Sequence, residues 1–463
     1  MACDLRSSFL FTQPIKFSKI PTISFYAQFL PCRCLASTSK SSSPIRRRRG
    51  KYGTSRKSIN RKTYMQEQVE FTSPVPEDPV VGIIGGGVSG LMCASALQKH
   101  GIRCSIFDTG MHGLGGRLGT RISDNSGECL VFDHAAQFFT VSDLRFQKIV
   151  DEWIANGLIR EWKGVIGELR GSGIFTAFPS SSPTRYIGTN GMRSLADSLL
   201  SQSDIVDIVR PCWISKIEPF NGKWILSENE NPRGSFDTIV IAHNGKCANR
   251  LLSTSGLPLL AKQMKKLDLS AIWALLAAFD EPLPMNPVFE GAFVKGIDAL
   301  SWMSNNTAKF HLTPQPDKAA VVSLSQCWSF FSTANYGRQT KVPQENIPNA
   351  TAERVKRDML KGVETALGSQ FKPPFYTKLQ LWGAALPTNT PSTPCIFDPR
   401  GRAGICGDWL TGSSVQEAVL SGVSLGDHIA NYFKDGGGVT DEHEIGLHST
   451  FQSIHGSEIG QFP

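Results

Sequence analysis

The segment from Val80 to Asp108 constrains the fold more than any other part of this 463-residue chain. An apolar run, Val80 to Ile84, leads into Gly85-x-Gly87-x-x-Gly90. A stretch with helical spacing follows from Val88 to about Lys99, and a second apolar run, Ile102 to Phe107, ends on Asp108. Such an order reads as strand, tight turn, helix, strand, which is the dinucleotide-binding half of a doubly wound α/β sheet. Each residue type has a physical task. Gly85 permits the turn, Gly87 leaves room for a pyrophosphate against the backbone, and Gly90 lets the helix lie close to the strand. The first-turn amides around Val88, Ser89 and Gly90, at the positive end of the helix dipole, then face the phosphates. Asp108 stands where a carboxylate accepts from ribose hydroxyls and repels a 2′-phosphate, so the segment alone leaves FAD and NAD as its ligands and disfavours NADP.

Composition sets the outer limits. At 40% hydrophobic and 19% charged the chain has an ordinary globular balance, and its length suits two to three domains. No apolar run reaches the roughly 18–20 residues of a membrane-spanning helix. The eleven cysteines are odd in number and form no Cys-x-x-Cys pair, which argues against zinc and against a disulfide framework. The net charge of +8 is unevenly placed. Residues 1–65 hold 14 Lys/Arg and one acid, leaving 34 basic against 39 acidic residues in the rest, a net of −5. The basic character is thus confined to one end and does not describe a nucleic-acid surface. A Ser- and Arg-rich, acid-poor stretch ending in Arg46 to Arg49 has the composition of an organelle transit peptide, and its serines favour a chloroplast over a mitochondrion.

Hydrophobic periodicity divides the remainder. A dinucleotide-binding part is expected over 76–143, 186–253 and 395–433, and a substrate part over 144–185 and 254–394, with a flexible tail at 434–463. Amphipathic spacing predicts a helix over Leu144 to Gly157, and alternation predicts strands near 158–162, 165–169 and 174–178. Asn221-Gly222 marks a hairpin between 212–217 and 223–227, and Phe236 to Ala242 reads as a buried parallel strand. Strands near 272–279, 292–294, 300–303 and 319–327, with a charged helix over 350–367, complete the substrate part.

Two further segments extend the cofactor reading from NAD to FAD. Gly115-Gly116-Arg117 follows Asp108 closely, and its arginine suits a phosphate bidentately. Phe132 to Phe139, with Gln137, reads as a short strand whose small residues face an aromatic ring system. Far along the chain, Gly407-Asp408 closes a short strand and offers a carboxylate to ribityl hydroxyls. The helix starting near Val415 and Gln416 then places its positive end where a reduced flavin carries negative charge.

These motifs together resemble the FAD-binding amine oxidoreductases, a family that includes monoamine oxidases, phytoene desaturases and renalase. Asp133-x-Ala135-x-Gln137 with Phe139-Thr140, and Leu300 to Met303 with Asn305, Asn306 and Lys309, look most like a plant renalase-like branch. The resemblance spans residues 80–432. It implies a glutathione-reductase-type FAD-binding Rossmann domain joined to an α+β substrate domain on an antiparallel sheet. It also implies an oxidoreductase that moves a hydride from a small amine or a dihydronicotinamide such as NAD(P)H to flavin N5, with O2 or another acceptor regenerating the cofactor. Two departures bear on this. Residues 382–387 read Trp-Gly-Ala-Ala-Leu-Pro, without the cysteine that attaches flavin covalently in monoamine oxidases, so non-covalent FAD is expected. The arginine and tyrosine usual beside that tryptophan in renalases are absent. Flavin oxidation needs stacking and water exclusion more than a strong acid or base, so no catalytic triad is assigned. Trp302 and Trp382 are candidate pocket walls and Lys295 a candidate partner of an active-site water, each against a plain core or surface role. An isoprenoid desaturase-like enzyme and a non-catalytic flavoprotein stay as alternatives.

Overall fold

The computed structural model describes residues 67–454 apart from 126–127, 201–202 and 312–324. The stretch 1–65, expected from its composition to be a transit peptide, lies outside the described residues. Two sheets organise the rest. The first has six strands in the order Ile396–Asp398, Ala403–Ile405, Thr238–Ile241, Val80–Ile84, Arg103–Phe107, Val206–Val209, all parallel except the edge strand Ile396–Asp398. Its central strands are near-continuous apolar runs because helices and a hairpin layer cover both faces. A three-stranded meander, Lys216–Phe220, Lys223–Glu228 and Asn231–Phe236, lies on one face through Trp224, Leu226 and Phe236. It turns at Asn221 and Gly222, both at positive φ, as an Asn-Gly hairpin requires.

The second sheet has seven strands in the order Tyr376–Pro387, Leu269–Phe279, Gln326–Phe331, Trp302–Asn305, Gly291–Lys295, Ile166–Arg170, Ile174–Ala177. Its pairings are antiparallel except that Ile166–Arg170 runs parallel to Gly291–Lys295. The helix Asn349–Leu367 covers it with Val355, Met359, Val363 and Ala366 and ends at Gly368, at φ +67°.

The first helix, Val88–Lys99, and the last, Val415–Lys434, pack tightly against each other. A Cβ added at Gly422 would lie 2.2 Å from the Ser89 carbonyl oxygen, and one at Gly426 would lie 2.6 Å from Ala96 Cβ. Only glycine permits that approach, and it carries the chain's last third onto the Gly85–Gly90 turn.

Three expectations shift. Residues 134–138 are irregular backbone rather than a strand, since the ladder ends at Asp133 and the side chain of Gln137 bonds back to the Asp133 and Ala135 carbonyls. Of the strand expected at 319–327, residues 319–324 lie outside the described residues, and the strand Gln326–Phe331 includes its last two positions and continues four residues beyond them. The expected tail is docked as far as residue 454. Ile445 bridges Phe397, Gln452–Ser453 pairs with Asn389–Thr390, and Phe451 stacks on Trp409 at 6.3 Å. The docking hydrophobes are too widely spaced to register as periodicity.

Candidate functional site

A cavity of about 330 Å³ opens at the carboxyl ends of the parallel strands, between the Gly85–Gly90 turn and the end of the long strand Tyr376–Pro387. Such a position is where open α/β sheets bind ligands. Gly85 turns the chain at φ +118°, and a Cβ at Gly90 would sit 2.1 Å from its carbonyl oxygen. Gly87 is different. A Cβ there meets no protein atom within 4 Å and points into open space. No side chain caps the first helix and no acid stands in its first turn, so the protein leaves its positive end uncompensated beside Val88 and Ser89. Asp108 pins the turn to the second strand, accepting from Gly86 N at 2.8 Å and from Gly110 N at 2.7 Å, and its side chain forms part of the cavity wall.

The opposite wall is a cross-chain junction. Arg117 follows Gly115, at φ +97°, and Gly116, at φ +56°. Its guanidinium donates to the Ala385 carbonyl at 2.5 Å and to Asp408 Oδ1 at 2.7 Å. The pair is shielded, with side-chain exposures of 17% and 2%. The other Asp408 oxygen, Oδ2, is buried with no hydrogen-bond partner among the described residues. Beside them Trp382 stacks on His134, with ring centroids 5.4 Å apart and planes 6° from parallel, and donates from Nε1 to the His134 carbonyl at 2.9 Å. Burial, assisted by the Arg121 charge, pushes the His134 imidazole down to about 3, so it is neutral near pH 7. Gln344 and Lys341 close the rim from a loop: Gly383 N donates to Gln344 Oε1 at 3.0 Å and Lys341 Nζ donates to the Gly383 carbonyl at 2.7 Å.

Of the residues expected from sequence, Gly85, Gly87, Val88, Ser89, Asp108, Gly116, Arg117, Gly407, Asp408 and Trp382 line this one cavity. Others are elsewhere. Gly90 serves the packing beneath the turn. Arg117 is occupied by Asp408 and a carbonyl, so it braces the wall where a free phosphate clamp was expected. Gln137 is fully buried, its amide spent on backbone carbonyls and its Oε1 accepting from Ser304 Oγ at 2.7 Å. Gln416 turns its Oε1 to Ser142 N and Asp143 N, and Val415 is core, so Ala418 presents the last helix to the cavity. That helix also carries Glu417 in its first turn, which offsets the positive end expected to serve a flavin anion. Trp302 is wholly buried against Phe293, 4.6 Å away, and Phe138, 5.7 Å away. Lys295 is exposed at the end of its strand.

The sequence reading missed Asn244, Gln344, Cys406 and Ala418, and His243 also lines the cavity. His243 and Asn244 directly follow the parallel strand Thr238–Ile241, so the carboxyl-end rule applied to that strand identifies them. Burial lowers the His243 pKa, and its Nδ1 lies 3.1 Å from the Ile84 carbonyl. In the neutral tautomer that donates there, Nε2 is left as an acceptor. Gln344 comes from a loop with no local signal.

The model of an NAD(P)-binding Rossmann-like domain matches residues 83–153. Solved structures extend the likeness over both sheets. Cyclohexylamine oxidase from Brevibacterium oxydans IH-35A superposes with a TM-score of 0.55 at 12% identity, over 77% of this chain and 100% of that one. A reduced UDP-galactopyranose mutase gives 0.54 at 9%, over 77% and 95%. The fatty acid isomerase from P. acnes that produces CLA gives 0.53 at 11%, over 76% and 98%. At these identities the likeness is one of fold, and the three names span an oxidase, a mutase and an isomerase. This chain therefore has a Rossmann-type dinucleotide-binding domain joined to a sheet-based second domain, in an architecture that hosts several chemistries.

Proposed function

We propose that this protein is an oxidoreductase that holds FAD non-covalently in this cavity and oxidises a small amine or a dihydronicotinamide. The observation that carries the reading is the unpartnered Asp408 Oδ2. A buried carboxylate oxygen without a donor is costly unless a ligand supplies one, and a ribityl or ribose hydroxyl is such a donor. The rest of the cavity suits the same molecule. Gly87 and the uncapped helix would receive the pyrophosphate, while Asp108 and His243 would face the adenosine ribose as acceptors. Arg117 pairs with Asp408 and holds its carboxylate in place, and no cysteine stands at 382–387 to form a covalent link.

When bound, FAD supplies the two-electron acceptor that oxidation of an amine or a dihydronicotinamide needs. The chain's own contribution is to orient and to exclude water. Trp382 and His134 form a rigid aromatic wall, and the neutral His134 adds no charge against which a cationic amine would be repelled. Phe138, Trp162, Phe293 and Trp302 pack ring on ring inside the second domain, so side chains fill its apolar interior and a small substrate suits it better than a long isoprenoid. O2 is the simplest acceptor for the return step. The basic stretch 1–65 fits delivery to a chloroplast, and a fluorescent protein fused behind it should enter plastids; cytosolic fluorescence would overturn that assignment.

The deciding experiment is anaerobic stopped-flow of the FAD-loaded protein against amines, isomeric dihydronicotinamides and isoprenoid precursors. Bleaching by an amine or dihydronicotinamide, reversed by O2, is the expected result. A flavin that no small substrate reduces would leave a non-catalytic flavoprotein as the better description.

A further inference from the structure

Lys309 is a fully buried lysine that no step above uses. It closes the short helix Asn306–Lys309, and its Nζ lies 2.7 Å from Asp133 Oδ2, both side chains having 0% exposure. Its other hydrogen-bond acceptors are the Gln137 carbonyl at 3.2 Å and Gln137 Oε1 at 3.5 Å, and the ammonium lies 5.3 Å from the Trp162 ring centroid and 4.9 Å from that of Phe310. All three ammonium hydrogens thus have acceptors inside the protein, and none is left for a substrate. Asp133 is equally committed. Oδ1 accepts from Thr120 Oγ1 at 2.5 Å and from Met192 N at 3.1 Å, its N–H donates to Asn306 Oδ1 at 3.1 Å, and its carbonyl accepts from Ser329 Oγ at 2.6 Å.

The pair spans two parts of the fold. Lys309, Asn306 and Ser329 belong to the seven-stranded sheet and its connections. Asp133 ends the strand that runs into 134–136. From that stretch, His134 N donates to the Gly119 carbonyl at 3.3 Å and Ala136 N donates to the Arg117 carbonyl at 3.0 Å, while the His134 carbonyl receives Trp382 Nε1. Both Arg117 and Trp382 line the cavity, and both hang on these three residues.

We propose that the Lys309–Asp133 ion pair is a positioning latch, by which the seven-stranded sheet fixes residues 134–136 and through them the Arg117 and Trp382 walls of the cofactor cavity. The inference rests on the FAD reading above. A buried ion pair is weak evidence of stability alone, since apolar replacements of both partners are often no worse. What an apolar pair does not reproduce is direction. The ammonium bonds Asp133 and the Gln137 carbonyl at once, and so sets the path of the backbone between them.

The test is FAD titration of the apo-protein by flavin fluorescence, with the visible circular dichroism of the bound flavin and the apo-protein melting curve recorded alongside. The variants are Lys309→Met, Asp133→Asn, the double variant and the milder Ser329→Ala. The double variant and Ser329→Ala strand no buried charge, so they keep the test usable if a single charge variant fails to fold. In folded protein, loss of the latch should weaken FAD binding about tenfold or more, the scale of coupling within one hydrogen-bonded network. Ser329→Ala should weaken it by several-fold, and the flavin dichroism should change in each variant. The loss in the double variant should match the larger single loss rather than the product of the two. If wild type binds FAD while the double variant and Ser329→Ala bind it as tightly, with the same dichroism and only a lower melting point, the pair is structural and the proposal falls. If wild type itself binds no FAD, the cofactor reading fails first and takes the proposal with it.

Discussion

Gly87→Val separates the ligand from the fold. A Cβ at Gly87 meets no protein atom within 4 Å, and the residue has ordinary extended backbone at φ −70° and ψ 168°. The Cβ of a valine therefore meets neither clash nor strain inside the protein, and the cost to the fold is that of a poor helix N-cap, about 1 kcal/mol. Its methyl groups enter the space where the pyrophosphate would meet the amides of the first turn. Moving a phosphate off two such donors forfeits about 1.5–3 kcal/mol for each charge-assisted hydrogen bond, or about 3–6 kcal/mol in all. At about 1.4 kcal/mol per tenfold, FAD affinity should fall roughly a hundredfold to ten-thousandfold. Gly90→Ala is the contrasting control. Its Cβ would be 2.1 Å from the Gly85 carbonyl oxygen, so it should lower the melting temperature before it alters the ligand. The assay is flavin fluorescence titration beside thermal unfolding of each apo-protein. Gly87→Val protein with a normal melting curve and normal FAD affinity would refute the placement of the phosphates.

Three further outcomes follow from the same geometry. Asp408→Asn removes a charged acceptor and loosens Arg117, so FAD affinity should drop about tenfold to a hundredfold, read by titration, in line with about 1.5–3 kcal/mol for a hydrogen bond to a charged group. His134, pushed down to about 3 in the fold, takes up a proton near pH 6.5 only when unfolded. The unfolded state then binds more protons as pH falls, so stability should decline from about pH 6.5 toward 3 by at most about 1.4 kcal/mol per pH unit. His134→Phe should flatten that acid-side slope in denaturant unfolding at pH 7 and pH 5, and an unchanged slope would contradict it. Phe451→Ala removes the ring stacked on Trp409 behind the Gly407–Asp408 turn and should cost about 1–2 kcal/mol of unfolding free energy, measured by denaturant titration.

Legibility in the sequence followed the range of the interaction. The Gly85–Gly90 turn and Asp108 form a local unit whose bonds span about twenty residues, and their spacing alone prescribes them. Gly407-Asp408 was also readable, because a strand ending in glycine and an acid is local chemistry. What those residues touch was not. Arg117 looks like a free phosphate ligand until the fold sets Asp408 and the Ala385 carbonyl against it, from positions 291 and 268 residues away. Gln137 and Gln416 have the right residue type beside the right motif, yet each amide oxygen is taken by a donor from a distant segment. Side-chain direction on irregular backbone, as at 134–138, carries no period to read. The docked segment up to residue 454 was hidden for a similar reason, since its anchors Ile445, Leu447 and Phe451 follow neither a helical nor a strand spacing.

The same separation explains why the cavity's cofactor is better defined than its substrate. Binding of a dinucleotide is written in backbone: a turn and a helix end, held by Gly85 and Gly90 where a Cβ would clash, and two carboxylates at the ends of strands. The Trp382 and Gln344 rim is built differently, from side chains of the long strand Tyr376–Pro387 and a rim loop. A Cβ at Gly383 would come 2.8 Å from Gln344 Oε1, the far end of a flexible side chain, so a larger residue there shifts that side chain at the rim. An oxidase, a mutase and an isomerase share this fold with the chain at 9–12% identity, so the dinucleotide-binding architecture does not by itself fix the chemistry performed beside it.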